Sequence, residues 1–144
     1  MPTTSLEIVR TRLAGVWLGT SALIVILVAL QSLLGKYGDR AQDAWGWLLP
    51  TIMPTSGVIV TGLVVTALDS ATSGSVVRTS FYRLAVALSI FYLALVLLTI
   101  LVQPLTGADA LDLMKRSNLW LGPIQGLVGS ALGVLFASKK AKDA

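Results

Sequence analysis

Charged residues are absent from four long stretches of the chain, and apolar residues fill most of each one. The stretches are residues 13–35, 44–68, 84–108 and 117–138. A helix of about 20 apolar residues crosses the hydrocarbon core of a bilayer. Each of the four stretches is longer than this. The pattern therefore predicts four transmembrane helices, at about residues 13–34, 45–68, 80–102 and 118–138.

Polar segments between the stretches indicate where the helices begin and end. Thr4 and Glu7 have the spacing of a capping box, which predicts a helix that begins near residue 5 and continues into the first span. Pro104 is expected to stop the third span. Residues 109–116 predict a short interfacial helix, with Ser117 as a candidate cap for the fourth span.

The composition agrees with a chain that lies almost entirely in a membrane. Hydrophobic residues make up 55% of it and charged residues 12%, whereas about a quarter of the residues in soluble proteins are charged. No polar interval is long enough for a separate soluble domain. We therefore expect residues 1–144 to form a single transmembrane domain of the all-α class, an integral membrane four-helix bundle.

Several kinds of chemistry lack their usual residues. The chain has no histidine and no cysteine, which removes the commonest general base, the commonest metal ligand and all thiol chemistry. Apart from tyrosine, the spans also lack the ionisable groups that coupled transporters and voltage sensors keep at depth. We expect no enzyme, no cofactor and no metal site, which leaves passive pores, packing modules and assembly subunits.

Four aspartates fall in the two segments predicted to share one side of the membrane, and two interpretations are open. They could form a cation site, either an acidic vestibule that concentrates cations or a weak Ca²⁺ site, or a solvated rim neutralised by nearby basic residues. The second is favoured because the basic residues among them bring that side to zero net charge. The two sets are Asp39, Asp43, Asp109 and Asp112, and Lys36, Arg40, Lys115 and Arg116.

The distribution of basic residues predicts the orientation. In a four-span chain the two termini and the middle loop share a side, and short cytoplasmic loops are enriched in lysine and arginine. That side carries seven basic residues against four on the other: Arg10, Arg12, Arg78, Arg83, Lys139, Lys140 and Lys142. We expect both termini in the cytoplasm, with the protein in the plasma membrane, or in the inner membrane of a bacterium. No basic stripe is interleaved with aromatic residues, so no nucleic-acid partner is expected.

The two halves of the chain share a short series of residues. An Arg-Leu-Ala sequence opens spans one and three, at Arg12 and Arg83, and a Trp-Leu-x-Pro sequence opens spans two and four, at Trp47 and Trp120. The alternatives are a duplicated helical hairpin and chance agreement between apolar segments. A duplication of this kind would have its pseudo-axis along the membrane normal.

Span two combines prolines with a stripe of hydroxyl groups. Pro50 and Pro54 each remove a backbone hydrogen bond, which predicts that the outer half kinks or unwinds. Thr51, Thr55 and Thr66 fall on one helical face. These five residues are candidates for a pore wall or ligand wall. The alternative, helix packing in which the hydroxyls bond to the backbone, is the more frequent use of such residues.

Span four carries glycines on a single stripe at helical spacing: Gly122, Gly126, Gly129 and Gly133. A bare glycine face in lipid indicates a partner helix at short range, so we expect this stripe to make the tightest contact of the bundle. The partner helix could belong to the same chain or to a second copy. Gly15 and Gly19 form a shorter stripe of the same kind in span one.

Three glutamines are the large polar groups nearest the hydrocarbon: Gln31, Gln103 and Gln125. An unpaired amide in lipid is unfavourable by several kcal/mol. We expect structural hydrogen bonds between helices at these positions rather than contacts with a substrate.

Together these features predict a homo-oligomeric pore or channel, or a membrane-permeabilising effector, with the lipid bilayer as its surroundings. A bundle of four helices has little room for an aqueous path, so a pore would need several copies. The alternative is a non-catalytic accessory or scaffold subunit that packs against a larger membrane complex. A facilitator for an apolar or zwitterionic solute is a third possibility.

Overall fold

The computed structural model describes residues 3–68, 76–105 and 107–137, and four long helices account for most of them. The helices are α1 (Leu6–Leu33), α2 (Ala41–Leu68), α3 (Thr79–Val102) and α4 (Ala110–Ala137). All four are long and apolar enough to cross a membrane. The predicted all-α four-helix bundle is confirmed. The turn expected at residues 69–75 lies outside the described residues.

Apolar side chains cover the outside of the bundle as well as its core. Within the most apolar window of each helix, only 28% to 39% of the residues are buried. Large side chains such as Leu23 and Leu98 are half exposed. Large exposed apolar side chains on all four helices are typical of a protein surrounded by lipid.

Helix α4 differs from the two separate segments expected at this point of the sequence. The predicted interfacial helix at residues 109–116 and the predicted fourth span form one continuous helix, Ala110–Ala137. Ser117 therefore lies inside the helix and is fully buried, so it is not a cap. Asp109 takes that role, because its Oδ1 accepts the backbone N–H of Leu111 at 2.8 Å.

Two short strands join the starts of α1 and α3. Strand β1 (Thr3–Ser5) pairs antiparallel with β2 (Val76–Arg78), with Thr3 opposite Arg78. The expected capping box does not form, since Ser5 makes no side-chain cap hydrogen bond and the chain before α1 is extended. The Oγ1 atoms of Thr4 and Thr79 lie 3.2 Å apart instead.

The four helices stand at the corners of a square. Helix α1 packs against α2 and α3, and α4 packs against the same two helices, so α1 and α4 lie at opposite corners. We call the end with β1 and β2 the strand end. The other end, with residues 34–40 and 107–109, is the turn end.

This arrangement bears on the hypothesis of a duplicated hairpin. The order strand, helix, helix occurs twice along the chain. A two-fold axis along the membrane normal would place α1 opposite α3 and α2 opposite α4, whereas each of these pairs is adjacent. The predicted axis is therefore not observed, and the duplication itself stays a hypothesis.

Candidate functional site

The prolines of α2 do not interrupt the helix. Both Pro50 and Pro54 lie on its exposed face, and the helix runs unbroken from Ala41 to Leu68, so the expected unwinding does not occur. Pro54 has no N–H to give to the carbonyl of Pro50. The side-chain Nε2 of Gln125 on α4 donates to that oxygen at 3.0 Å. A freed carbonyl is thus satisfied by a neighbouring helix.

The hydroxyl stripe of α2 faces the inside of its own bundle. Thr51 and Thr55 are both buried. Thr51 Oγ1 donates to the carbonyl of Trp47 at 2.6 Å, and the carbonyl of Thr51 accepts the hydroxyl of Tyr92 at 2.7 Å. These are the contacts expected of the packing alternative, since none of them faces an aqueous path outside the bundle.

One layer near the middle of the bundle joins all four helices. The Trp17 ring of α1 stacks on the Tyr92 ring of α3, with centroids 5.8 Å apart and an angle of 23° between the ring planes. Tyr92 bonds to the carbonyl of Thr51 on α2, which also accepts Nε2 of Gln125 on α4 at 3.0 Å. We call these four residues the polar layer.

Beside the polar layer, several buried polar atoms have no hydrogen-bond partner in the described part of the chain. They are Nε1 of Trp17 and the Oγ atoms of Ser21, Ser56 and Ser89. A buried polar group without a partner is unfavourable by about 1–3 kcal/mol. Ser21 follows Trp17 by one turn and Ser89 precedes Tyr92 by one turn, so these atoms border the α1–α3 contact. They could bind a small polar molecule.

A buried cation at the strand end was missed by the sequence reasoning. Arg10 lies between three helices and is 4% exposed. Its Nε donates to the carbonyl of Leu135 at 2.7 Å and its Nη1 to Thr66 Oγ1 at 2.8 Å. Leu135 is in the last turn of α4, where carbonyls have no partner within the helix.

The position of Arg10 in the sequence could have indicated that it is buried. Arg10 lies one turn before Ala14 and two turns before Trp17, so all three share the buried face of the helix. Thr66, a predicted pore residue, is held in this contact and donates its own hydroxyl to the carbonyl of Gly62 at 2.8 Å. Arg10 and Thr66 therefore join α1, α2 and α4 at the strand end.

The glycine stripe of α4 does not make the tightest contact of the bundle. A Cβ atom placed on Gly122, Gly126, Gly129 or Gly133 would meet no atom within 4 Å. Gly122 and Gly126 are exposed and the other two are partly exposed. The close contact is made by Gly62 of α2, where a Cβ would lie 2.6 Å from the Cβ of Phe136. In the described part of the chain, no other helix lies within 4 Å of these Cβ positions.

Two of the predicted structural glutamines make hydrogen bonds at the turn end. Gln31 Oε1 accepts the hydroxyl of Tyr37, and Gln103 Oε1 accepts Nζ of Lys36 at 2.8 Å. Burial raises the pKa of the Tyr37 hydroxyl. Both contacts join a span to the turn between α1 and α2, as expected of structural amides.

Ion pairs at the turn end agree with the interpretation of a neutralised rim. Arg40 contacts Asp109 at 3.0 Å and Asp43 at 3.5 Å, and Lys115 contacts Asp43 at 3.6 Å. The N–H of Leu111 holds the pKa of Asp109 below its ordinary value, with Arg40 acting in the same direction. Within residues 3–68, 76–105 and 107–137, no group of three or more His, Cys, Asp and Glu could hold a metal ion.

No known protein family, curated protein or solved structure matches the chain.

Proposed function

We propose that the protein is a homo-oligomeric membrane module whose copies associate through the glycine stripe of α4. The observation that carries this proposal is the open space in front of all four glycines. Lipid gives no hydrophobic drive for helices to associate, so close approach of bare helix backbones is a main source of their attraction. An open glycine face on a lipid-exposed helix can therefore pack closely against a second helix.

The second helix we propose is α1 of another copy. Gly15 and Gly19 on α1 are exposed, and a Cβ on either would also meet no atom within 4 Å. At about 1.5 Å per residue, they lie roughly 14–20 Å from the strand end of α1, and Gly126 and Gly129 lie roughly 12–17 Å from the strand end of α4. The two glycine pairs therefore lie at similar depth in copies of the same orientation.

This pairing determines how the copies would be arranged. Helices α1 and α4 occupy opposite corners of the bundle, so contact between α4 of one copy and α1 of the next is head-to-tail. Head-to-tail contacts produce a ring when the rotation between copies closes and an open row when it does not. With the strand end in the cytoplasm, as the basic residues favour, every copy would have the same orientation.

Within such an assembly, the geometry supports a structural role more than conduction. The hydroxyl groups of Thr51 and Thr55 are buried inside each copy, and the exposed face of α2 carries Met53, Gly57 and Val58 instead. A ring with α2 around its axis would have a wall that is mostly apolar, with Thr61 among its few exposed polar groups. The module would therefore act as an association subunit, with the glycine stripe as its working surface.

Passage of a small polar solute is a second candidate, and a different observation favours it. In the described part of the chain, Nε1 of Trp17, in the polar layer, and the hydroxyls of Ser21 and Ser89 beside it have no hydrogen-bond partner. A permeating water or neutral polar solute could bond to these groups inside each copy. This activity would not need a pore on the axis of the ring.

Native mass spectrometry of the protein in nanodiscs tests the main proposal. A Cβ at Gly126 or Gly129 meets no atom within 4 Å in the single copy, so Gly126→Leu and Gly129→Leu should preserve folding and convert the oligomer to monomers. Gly57→Leu is the matched control, since Gly57 is equally open but lies on α2, and it should leave the oligomer intact. A monomeric wild-type protein, or an oligomer that survives both leucine variants, would refute the proposal.

Solute flux into liposomes tests the second candidate. Trp17→Phe removes the indole N–H and keeps an aromatic ring against Tyr92, so it should slow flux of a small polar solute without changing the copy number. Wild-type liposomes that are no leakier than protein-free ones would exclude this activity.

A further inference from the structure

An open groove lies at the strand end, where β2 leads into α3. Its volume is about 570 Å³, and it is lined by Val76, Val77, Arg78, Ser80, Phe81 and Leu84. The arginine and the serine supply its polar groups, and the other four supply apolar side chains. A groove of this composition suits a molecule with an anionic polar part and an apolar part.

Charge at the strand end is uncompensated in the described part of the chain. Arg12, Arg78 and Arg83 make no ion pair there, and Glu7 is the one acidic residue at this end among residues 3–68, 76–105 and 107–137. At the turn end, by contrast, Arg40 is paired with two aspartates. The free guanidinium of Arg78 is thus available to an anion from outside the bundle.

The position of the groove selects the kind of anion. Helix α3 begins at Thr79, so the groove lies at one end of a span, at the level where lipid headgroups meet hydrocarbon. Leu84 is 54% exposed and extends the apolar side of the groove along the outside of α3. Basic pockets at the ends of membrane spans are typical binding sites for anionic lipid headgroups.

We propose that this groove binds an anionic phospholipid. The phosphate accepts hydrogen bonds from the Arg78 guanidinium and the Ser80 hydroxyl, and the first part of an acyl chain lies against Phe81 and Leu84. Bidentate contact with phosphate is the geometry for which arginine is best suited. The site is separate from the glycine stripe of α4, so it does not depend on the oligomer.

Lipid retention during native mass spectrometry tests the site. The wild-type protein would be taken from nanodiscs that contain equal amounts of phosphatidylglycerol and phosphatidylcholine. We expect it to retain phosphatidylglycerol preferentially, and Arg78→Gln to lower that retention about fivefold, the effect of one arginine near an anionic surface. Arg12→Gln is the matched control, since Arg12 lies on α1 outside the groove and also makes no ion pair with the residues that the structure describes.

Three results would overturn the proposal. If Arg12→Gln and Arg78→Gln lowered retention equally, the attraction would be that of a diffuse basic surface. Equal retention of phosphatidylcholine by the wild-type protein would mean that the groove selects no charge. If millimolar glycerol phosphate displaced the lipid, the site would bind soluble phosphate anions. Circular dichroism on each variant would verify its helix content, and none of these readouts depends on copy number.

Discussion

Gly62 on α2 and the glycine stripe on α4 share a residue type and a helical setting, but their surroundings differ. At Gly62 there is no room for a methyl group, because the Phe136 side chain of α4 lies against the backbone. In front of Gly126 and Gly129 there is no atom within 4 Å of the Cβ position. One site is closed by the chain itself and the other is open.

The difference follows from the rotation of α4 about its own axis. Its large side chains Leu121, Leu132 and Phe136 are buried, and the glycine stripe lies on the flank that this burial leaves outside. Packing within the chain is therefore achieved with large side chains of α4 against small positions of α2. A glycine in a membrane helix thus permits close packing of another helix. The large residues of the same helix decide whether the glycine faces the inside or the outside of the bundle.

A methyl group at Gly62 should have the largest effect on stability. Gly62→Ala forces Phe136 and its helix to move, and overpacking of this kind lowers the free energy of unfolding by about 1–3 kcal/mol. The midpoint of SDS-induced unfolding in mixed micelles measures the change. Gly57→Ala is the control, since Gly57 lies on the exposed face of the same helix with no atom within 4 Å. Equal midpoints for the two variants would mean that the closed contact does not exist in the folded protein.

The rotation of α4 can be tested at the polar layer. Gln125→Leu removes the amide that donates to the carbonyls of Pro50 and Thr51. The carbonyl of Pro50 then lacks a donor, so we expect the free energy of unfolding to fall by about 1–2 kcal/mol, less than for Gly62→Ala. The same SDS titration measures the loss.

Gln42→Leu provides the comparison for this second variant. Gln42 is an exposed amide on α2 with no hydrogen bond in the described part of the chain, and its removal should leave the unfolding midpoint within error. If Gln125→Leu behaved in the same way, the amide would not help to hold α4 in this rotation, and its buried large side chains would hold it alone.

Much of the fold could be predicted from where charges are missing. The free energy of placing a charge in hydrocarbon is so unfavourable that charge-free stretches of sufficient length define spans almost alone. The end of α2 at Leu68 and the start of α3 at Thr79 follow closely from this. The structural use of the glutamines was also predictable, because an amide at the edge of the hydrocarbon needs a partner.

The direction in which each helical face points was not predictable in the same way. In a soluble helix, polarity distinguishes the inside from the outside, whereas here both sides of every span are apolar. The stripe of Thr51 and Thr55 could therefore equally have faced a pore or the bundle. The outward position of Gly126 follows from the packing of side chains across three helices, which no local pattern contains.

At Arg10, the pattern of charges predicted the wrong surroundings. Charge alone assigns an arginine before the first span to the water, and that assignment failed because Arg10 shares the buried face of α1 with Ala14 and Trp17. The partners of Arg10 are a carbonyl and a hydroxyl far away in sequence, Leu135 and Thr66. Strand β1 was missed for a related reason, because three residues gain a strand only through pairing with β2.

A substitution at the start of α4 should have the smallest effect on stability, and that effect should depend on pH. The N–H of Leu111 and the guanidinium of Arg40 favour the ionised form of Asp109, so its pKa in the folded protein lies below the ordinary 3.8. A lowered folded pKa stabilises the fold fully above the ordinary pKa, and the contribution disappears as the pH falls through the folded value. Asp109→Asn keeps a cap but carries no charge, so the Tm difference between wild type and this variant should be constant above about pH 5 and shrink below pH 4.

Asp39→Asn, at an exposed carboxylate without an ion pair in the described part of the chain, should not reproduce this change. A Tm difference for Asp109→Asn that stayed constant down to pH 3 would mean that the cap does not depend on charge. The position at which α4 begins, and with it the depth of its glycine stripe, would then be set by packing alone.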